Sequence, residues 1–259
     1  MTQPQGSQLW ALRLEYDGTS FVGWQRQING PSVQQVLEDA AAKLNAGNLV
    51  VSIVAGRTDA GVHAEGQVAQ LALPTGLTPE RLREALNFHM KPHPLVVLDA
   101  APAPEGWNAR FSAIHRTYRY RILNRRPRPA LAANRVWHVP APLDTVAMQT
   151  AAQHLLGRHD FSSFRAAACQ AKSPIRTLDR LDVCRLGDEI EITAAARSFL
   201  HHQVRNIVGT LKLVGAGIWP PHRVAQALAA ANRAAAGPTA PPDGLCLLAV
   251  HYAQDPFAN

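Results

Sequence analysis

The sequence predicts an α+β fold in two halves, and three observations carry that expectation. Strand and helix periodicities alternate in the order β-α-β-β-α-β between Leu9 and Ala100. A second run of strands and helices follows, again with mostly short connections. The 259 residues are 47% hydrophobic and 17% charged, enough apolar material for one large core or two smaller ones.

In the first half, Leu9 to Tyr16 reads as a strand. The turn Asn29-Gly30-Pro31-Ser32 leads into a helix from Val33 to Leu44, with Ser32 as its N-cap. Val50 to Ala55 and Gln67 to Leu73 read as strands on either side of a glycine-rich loop. Thr78-Pro79-Glu80 starts a second helix reaching about Phe88, and Leu95 to Ala100 adds a strand. This is the ferredoxin-like arrangement.

The second half opens with a strand around Tyr118, followed by a helix from about Thr145 to Leu156. Strands at Leu178 to Arg185 and Glu189 to Ala195 precede a helix from about His202 to Val214. A shorter helix, Pro221 to Ala231, and a closing strand, Cys246 to His251, complete it. Pro and Gly cluster at Met90 to Pro94 and again at Gly237 to Gly244. The expected division is an N-terminal domain, 1–108, with the glycine-rich loop, and a C-terminal domain, 109–259.

Composition narrows the function classes. No run approaches the ~20 apolar residues of a membrane span. Met1 to Ser7 is polar and lacks the basic and apolar regions of a signal peptide, so a cytoplasmic protein is expected. Cys169, Cys184 and Cys246 are far apart, which argues against a disulfide framework or a cysteine zinc site. The net charge is +7, and only four of the 26 basic residues are Lys. Arginine's planar fork matches phosphate and stacks on bases, which leans toward nucleic acid.

The arginines are concentrated. Eight lie between Arg110 and Arg135, with no acid among them. Within that stretch Arg116-Thr117-Tyr118-Arg119-Tyr120-Arg121-Ile122 alternates as a strand, with Tyr118, Tyr120 and Ile122 on one face and Arg119 and Arg121 on the other. Aromatics beside cations suit looped RNA. An amphipathic strand with core tyrosines and solvated arginines reads as well from the pattern alone.

The loop Ala55-Gly56-Arg57-Thr58-Asp59-Ala60-Gly61-Val62-His63 sets one base and one acid between two glycines. Such glycines permit a tight turn or a close ligand approach. Spacing alone favours a structural turn, with Asp59 accepting backbone N–H bonds.

The residues from Gly56 to Ala64, however, closely resemble the catalytic loop of the tRNA pseudouridine synthases of the A family. Further segments match that family in order. They are Tyr16-Asp17-Gly18-Thr19 with Gly23-Trp24-Gln25-Arg26-Gln27, Arg110-Phe111-Ser112-Ala113 with Tyr118-Arg119-Tyr120, and His159-Asp160-Phe161-Ser162-Ser163-Phe164. The last is the run from Phe199 to Gly209, and Gly244-Leu245 before the final strand also fits. The segment Phe88 to Leu95 departs from the family pattern by lacking its acid.

The resemblance implies two ferredoxin-like or RRM-like halves, mainly antiparallel, flanking a basic catalytic cleft. It implies isomerisation of uridine to pseudouridine at positions 38, 39 and 40 of the tRNA anticodon stem-loop, with no cofactor and no metal. Asp59 is then the catalytic carboxylate, Arg205 its ion-pair partner, and Tyr118 the ring that stacks on the flipped uracil and acts as a possible base. Arg57, Arg110, Arg119 and His202 are assigned to RNA, and Tyr120 to the core. A homodimer is implied by the family alone. Two other readings stand beside this one: a non-catalytic RNA-binding or chaperone protein with the same fold, and a carboxylate glycosidase or hydrolase acting on RNA. The spacing of Asp59 and His63 does not match a metal-binding helix, so His63, His201 and His202 are read as supporting the fold or contacting RNA.

Overall fold

The computed structural model describes residues 6–258, so the polar N-terminus noted above lies mostly outside the described residues. In chain order the first elements are β1 (Ser7–Tyr16), α1 (Val33–Leu44), β2 (Ile53–Val54), β3 (His63–Pro74), α2 (Pro79–His89) and β4 (Leu95–Pro102). There follow β5 (Ala113–Leu123), β6 (Trp137–His138), α3 (Thr145–Gln153), β7 (Gly157–Asp160) and β8 (Ile175–Leu186). Last come β9 (Glu189–Ala196), α4 (Gln203–Gly215), α5 (Arg223–Ala229) and β10 (Leu245–Tyr252). The fold is mixed α+β, and its strands pair mostly antiparallel. Among the described residues no helix is long and apolar enough to cross a membrane.

The chain forms two compact units. One runs up to Ile114 and resumes at Leu247; the other is His115–Cys246. This division differs from one made at residue 108, because the end of the chain belongs with its beginning. Tyr252 packs on Trp107 with ring centroids 5.0 Å apart and donates its hydroxyl to the Ala109 carbonyl at 2.7 Å. Phe257 lies under the Arg13 guanidinium. Nothing local in the closing strand announces such long-range partners.

In the first unit β1 lies between β4 and β3, both antiparallel to it, and β2 pairs with β3. α1 starts where expected: Ser32 Oγ accepts from the Gln35 N–H at 3.2 Å. Its buried residues Val33, Val36, Leu37, Ala40 and Ala41 follow the helical repeat and form one apolar face. α2 is capped by Thr78 with Pro79 in its first turn, and it buries Leu82 and Leu86. The strand expected over Val50 to Ala55 is only two residues long. Glu38, buried on α1, explains this: its Oε1 accepts from both the backbone N–H and the hydroxyl of Ser52, each at 2.9 Å. A side chain thus takes the donor that a neighbouring strand would need.

In the second unit the strand order is β5-β9-β8-β7, all antiparallel, with β6 parallel to β5. β7 was not foreseen. Its residues, Gly157-Arg158-His159-Asp160, carry no apolar alternation, and as an outer strand it pairs only through its backbone with β8. The core includes Phe161, Phe164, Leu178, Leu181, Ile190 and Ile192, closed by Ile207, Val208 and Leu211 of α4. All three cysteines are free thiols.

Candidate active site

Asp59 sits in the connection from β2 to β3, and the family-like segments near the N-terminus turn out to be its cradle. Tyr16, at the end of β1, places its hydroxyl 2.8 Å from Thr58 Oγ1 in a buried contact. Gln67, fully buried on β3, donates to that hydroxyl at 3.3 Å and to the Gly56 carbonyl at 2.8 Å. The Trp24 N–H donates to Thr58 O at 3.0 Å, and the Gly61 N–H donates to Phe21 O at 3.3 Å. Thr58 therefore points inward while its neighbours Arg57 and Asp59 remain exposed and partly exposed.

Two glycines make this approach possible. Gly23 has φ +104°, and a Cβ there would lie 2.9 Å from Thr58 O. A Cβ on Gly18 would lie 2.1 Å from Val62 O. The Gly18 N–H donates to His63 Nδ1 at 3.1 Å, and Asp17 Oδ1 lies 3.2 Å from the same nitrogen. His63 thus helps to hold the loop's far end.

Arg110 lies on another loop of this unit, its guanidinium 5.6 Å from the centre of the exposed Phe111 ring. Asn108 Oδ1 accepts from the N–H groups of Arg110 and Phe111 at 2.9 and 3.0 Å, which fixes the turn.

The second unit carries the other candidates. On β5 the predicted alternation holds: Tyr118, Tyr120 and Ile122 are buried, and Arg119 and Arg121 are half-buried on the other face. The Tyr118 ring meets Phe199 edge-on, with centroids 5.3 Å apart. Tyr120 is core. Its hydroxyl donates to Pro241 O at 2.8 Å, and burial pushes its pKa far above the ordinary phenol value, only partly opposed by the Arg205 charge. Arg121 makes a two-pronged pair with Glu189, both contacts 2.8 Å, and Arg119 lies 4.0 Å from Glu191. Arg119 and Tyr118 are thus on opposite faces and are not brought together. Sequence reasoning missed Arg116, a buried cation on the Tyr118 face that donates to the Arg197 carbonyl. Counting the same alternation back two residues would have found it.

Arg205 opens α4, as expected, and is held at both ends. Its Nε donates to Ala240 O at 2.8 Å, while its own carbonyl accepts from the Ala240 N–H at 3.1 Å. Asn206, fully buried, donates to Phe164 O at 2.8 Å and accepts from Thr239 Oγ1 at 2.7 Å and Arg233 at 3.1 Å. The 237–244 segment, read from sequence as a loop, is therefore the brace of the Arg205 helix. His202 precedes that helix with φ +62°, its ring centroid 4.1 Å from that of His201.

Gly209 marks where the brace crosses α4, since a Cβ there would lie 1.7 Å from Pro238 O. Gly209→Ala is expected to cost about 2 to 3 kcal/mol through overpacking against backbone. A lowered denaturation midpoint in guanidinium checks it.

Comparison with known proteins decides the family. The sequence matches the profile described as tRNA pseudouridine synthase over residues 14–112 and 151–253. The chain belongs to the tRNA pseudouridine synthase family. It is 69% identical over 249 residues to the tRNA pseudouridine synthase A of Acidiphilium cryptum, covering 96% of this chain and 98% of that one. The proteins of the same name from Rhodospirillum centenum and Gluconobacter oxydans are 58% and 55% identical. Those alignments cover 95% and 98% of this chain, and 100% and 94% of theirs. A solved dye-decolorizing protein from V. cholerae aligns over 84% of this chain and 87% of its own at 12% identity, but a TM-score of 0.21 carries no argument. By its family, this chain is an isomerase.

Proposed function

We propose that the enzyme converts uridine to pseudouridine at positions 38, 39 and 40 of the tRNA anticodon stem-loop. In this reaction the C1′–N1 bond breaks, the base turns, and C1′ bonds to C5. N1 gains a proton and C5 loses one. Asp59 acts as the carboxylate on the sugar or ring, Arg205 is its charge partner, and Tyr118 stacks on the uracil and helps remove its C5 proton. Arg57 takes part in extruding the base, which costs roughly a few kcal/mol. Arg110 and His202 contact RNA, whereas Arg119, on the face away from Tyr118 and beside Glu191, is left out of the contact set.

The observation that supports this reading best is the double-glycine cradle, which holds Thr58 inside and leaves Asp59 partly exposed. A turn that served only the fold would have no need of so many long-range anchors. The ferredoxin-like reading of the first unit is supported by its β4-β1-β3-β2 strand order. Family resemblance supports a cytoplasmic homodimer working without cofactor or metal.

The test is unmodified tRNA carrying tritium at C5 of uridine. Release of tritium to water together with pseudouridine is the expected result. Free uracil would point to a glycosidase, and unchanged RNA that is nevertheless bound would point to a binding protein.

A further inference from the structure

The segment Phe88 to Leu95 forms one wall of a pocket in the first unit through His89, Lys91 and His93. The pocket measures about 230 Å³ and is lined by Gln35, Asp39 and Lys43 of α1 and by His89, Lys91 and His93 opposite. That volume falls below the ~300 Å³ at which pockets begin to take whole drug-sized ligands, and suits a single small group.

Cationic groups outnumber the acid in its lining. Two of the chain's four lysines meet here, and among the described residues no acid pairs with Lys43, His89, Lys91 or His93. The one carboxylate in the lining, Asp39, is already engaged by Arg26 at 2.9 Å. Lys43 alone would be accounted for by the negative end of α1, in whose last turn it lies. Lys91, exposed on a turn, lines the same pocket and adds a second positive charge to it.

The wall is also firmly placed. Met90 is fully buried, the His93 N–H donates to Met90 O at 3.0 Å, and the Asp17 N–H donates to Pro94 O at 3.0 Å. The His93 ring lies 6.2 Å from that of Phe21, whose carbonyl accepts from Gly61 in the Asp59 loop. The pocket wall is thereby linked through Phe21 to the loop that carries Asp59.

We propose that this pocket binds a phosphodiester of the tRNA backbone outside the target nucleotide, with Lys43 and Lys91 supplying charge and His89, His93 and Gln35 supplying N–H donors. The proposal rests on tRNA being the substrate, but it is read from binding rather than from isomerisation. The experiment compares wild type, the Lys43→Ala/Lys91→Ala double variant and the Lys43→Arg/Lys91→Arg control for affinity to unmodified tRNA from 50 to 200 mM salt.

The alanine pair should weaken binding about ten-fold at the lowest salt and flatten the slope of log affinity against log salt by about 1 to 2. Single-turnover rate at saturating tRNA should be unchanged, and the arginine pair should bind as wild type. An unchanged slope in the alanine pair overturns the proposal, as does a lost turnover rate with affinity intact. In a second arm, inorganic phosphate is titrated while the imidazole resonances of His89 and His93 are followed. Phosphate that perturbs them and is displaced by tRNA supports the backbone reading; phosphate that remains bound beside tRNA overturns it in favour of a free-anion site. If wild type binds tRNA but never isomerises it, the proposed function fails while the pocket is still tested by its salt slope.

Discussion

Asp59→Ala is expected to reduce pseudouridine formation by about 10³-fold or more while tRNA affinity stays within about three-fold of wild type. The asymmetry follows from where the carboxylate sits. Asp59 is a partly exposed side chain on a loop that several other groups also fix: the Thr58 hydroxyl and carbonyl, the Gly56 carbonyl and the Gly61 N–H. Truncating it removes none of these anchors, so the loop keeps its course. It also removes a negative charge from a protein of net charge +7, which leaves phosphate binding intact or slightly stronger. Single-turnover tritium release and filter binding on the same preparation separate the two effects. Asp59→Asn, which keeps the shape and loses the charge, should be as inactive as the alanine variant. A rate within ten-fold of wild type in either variant would remove Asp59 from the chemistry.

Gly18→Ala should lower turnover by about 100-fold and stability by roughly 1 to 3 kcal/mol without any catalytic group being touched. The added methyl would meet Val62 O at 2.1 Å and Val62 C at 2.5 Å, both backbone atoms. No rotamer change relieves such a contact. Either the Asp17 turn withdraws, losing the Gly18 N–H bond to His63, or the end of the Asp59 loop moves outward. Displacements near an ångström are enough to lose about two orders of magnitude in a positioned reaction. Denaturation midpoint and single-turnover rate should fall together, and tRNA affinity should change little. If turnover is unaltered, the cradle does not position the carboxylate.

Much of the local structure was legible because its signals are local. Ser32 and Thr78 cap their helices where the sequence places them, and α1 buries the apolar face its repeat describes. On β5 the period of two separated Tyr118 and Tyr120 from Arg119 and Arg121. What failed to show were elements specified from a distance. β2 is cut short by a buried glutamate on α1, and β7 exists because β8 offers it a backbone to pair with. Arg119 counted as one more cation in an acid-free run, but its acid, Glu191, arrives on β9 far along the chain.

The sequence by itself determined the mixed α+β class and the family and singled out Asp59 as the candidate carboxylate, because ordered motifs and hydrophobic periods are properties of the chain. It also marked Tyr16 to Gln27 and Phe199 to Gly209 as meaningful without saying what they do. Only the tertiary structure decided that the first is the seat of the Asp59 loop, and that Asn206 and Gly209 join α4 to the brace of Arg205. The physical reason is that a hydrogen bond or a close backbone approach depends on two positions at once. When these lie 45 residues apart, as Gly18 and His63 do, only the folded chain reveals the pair.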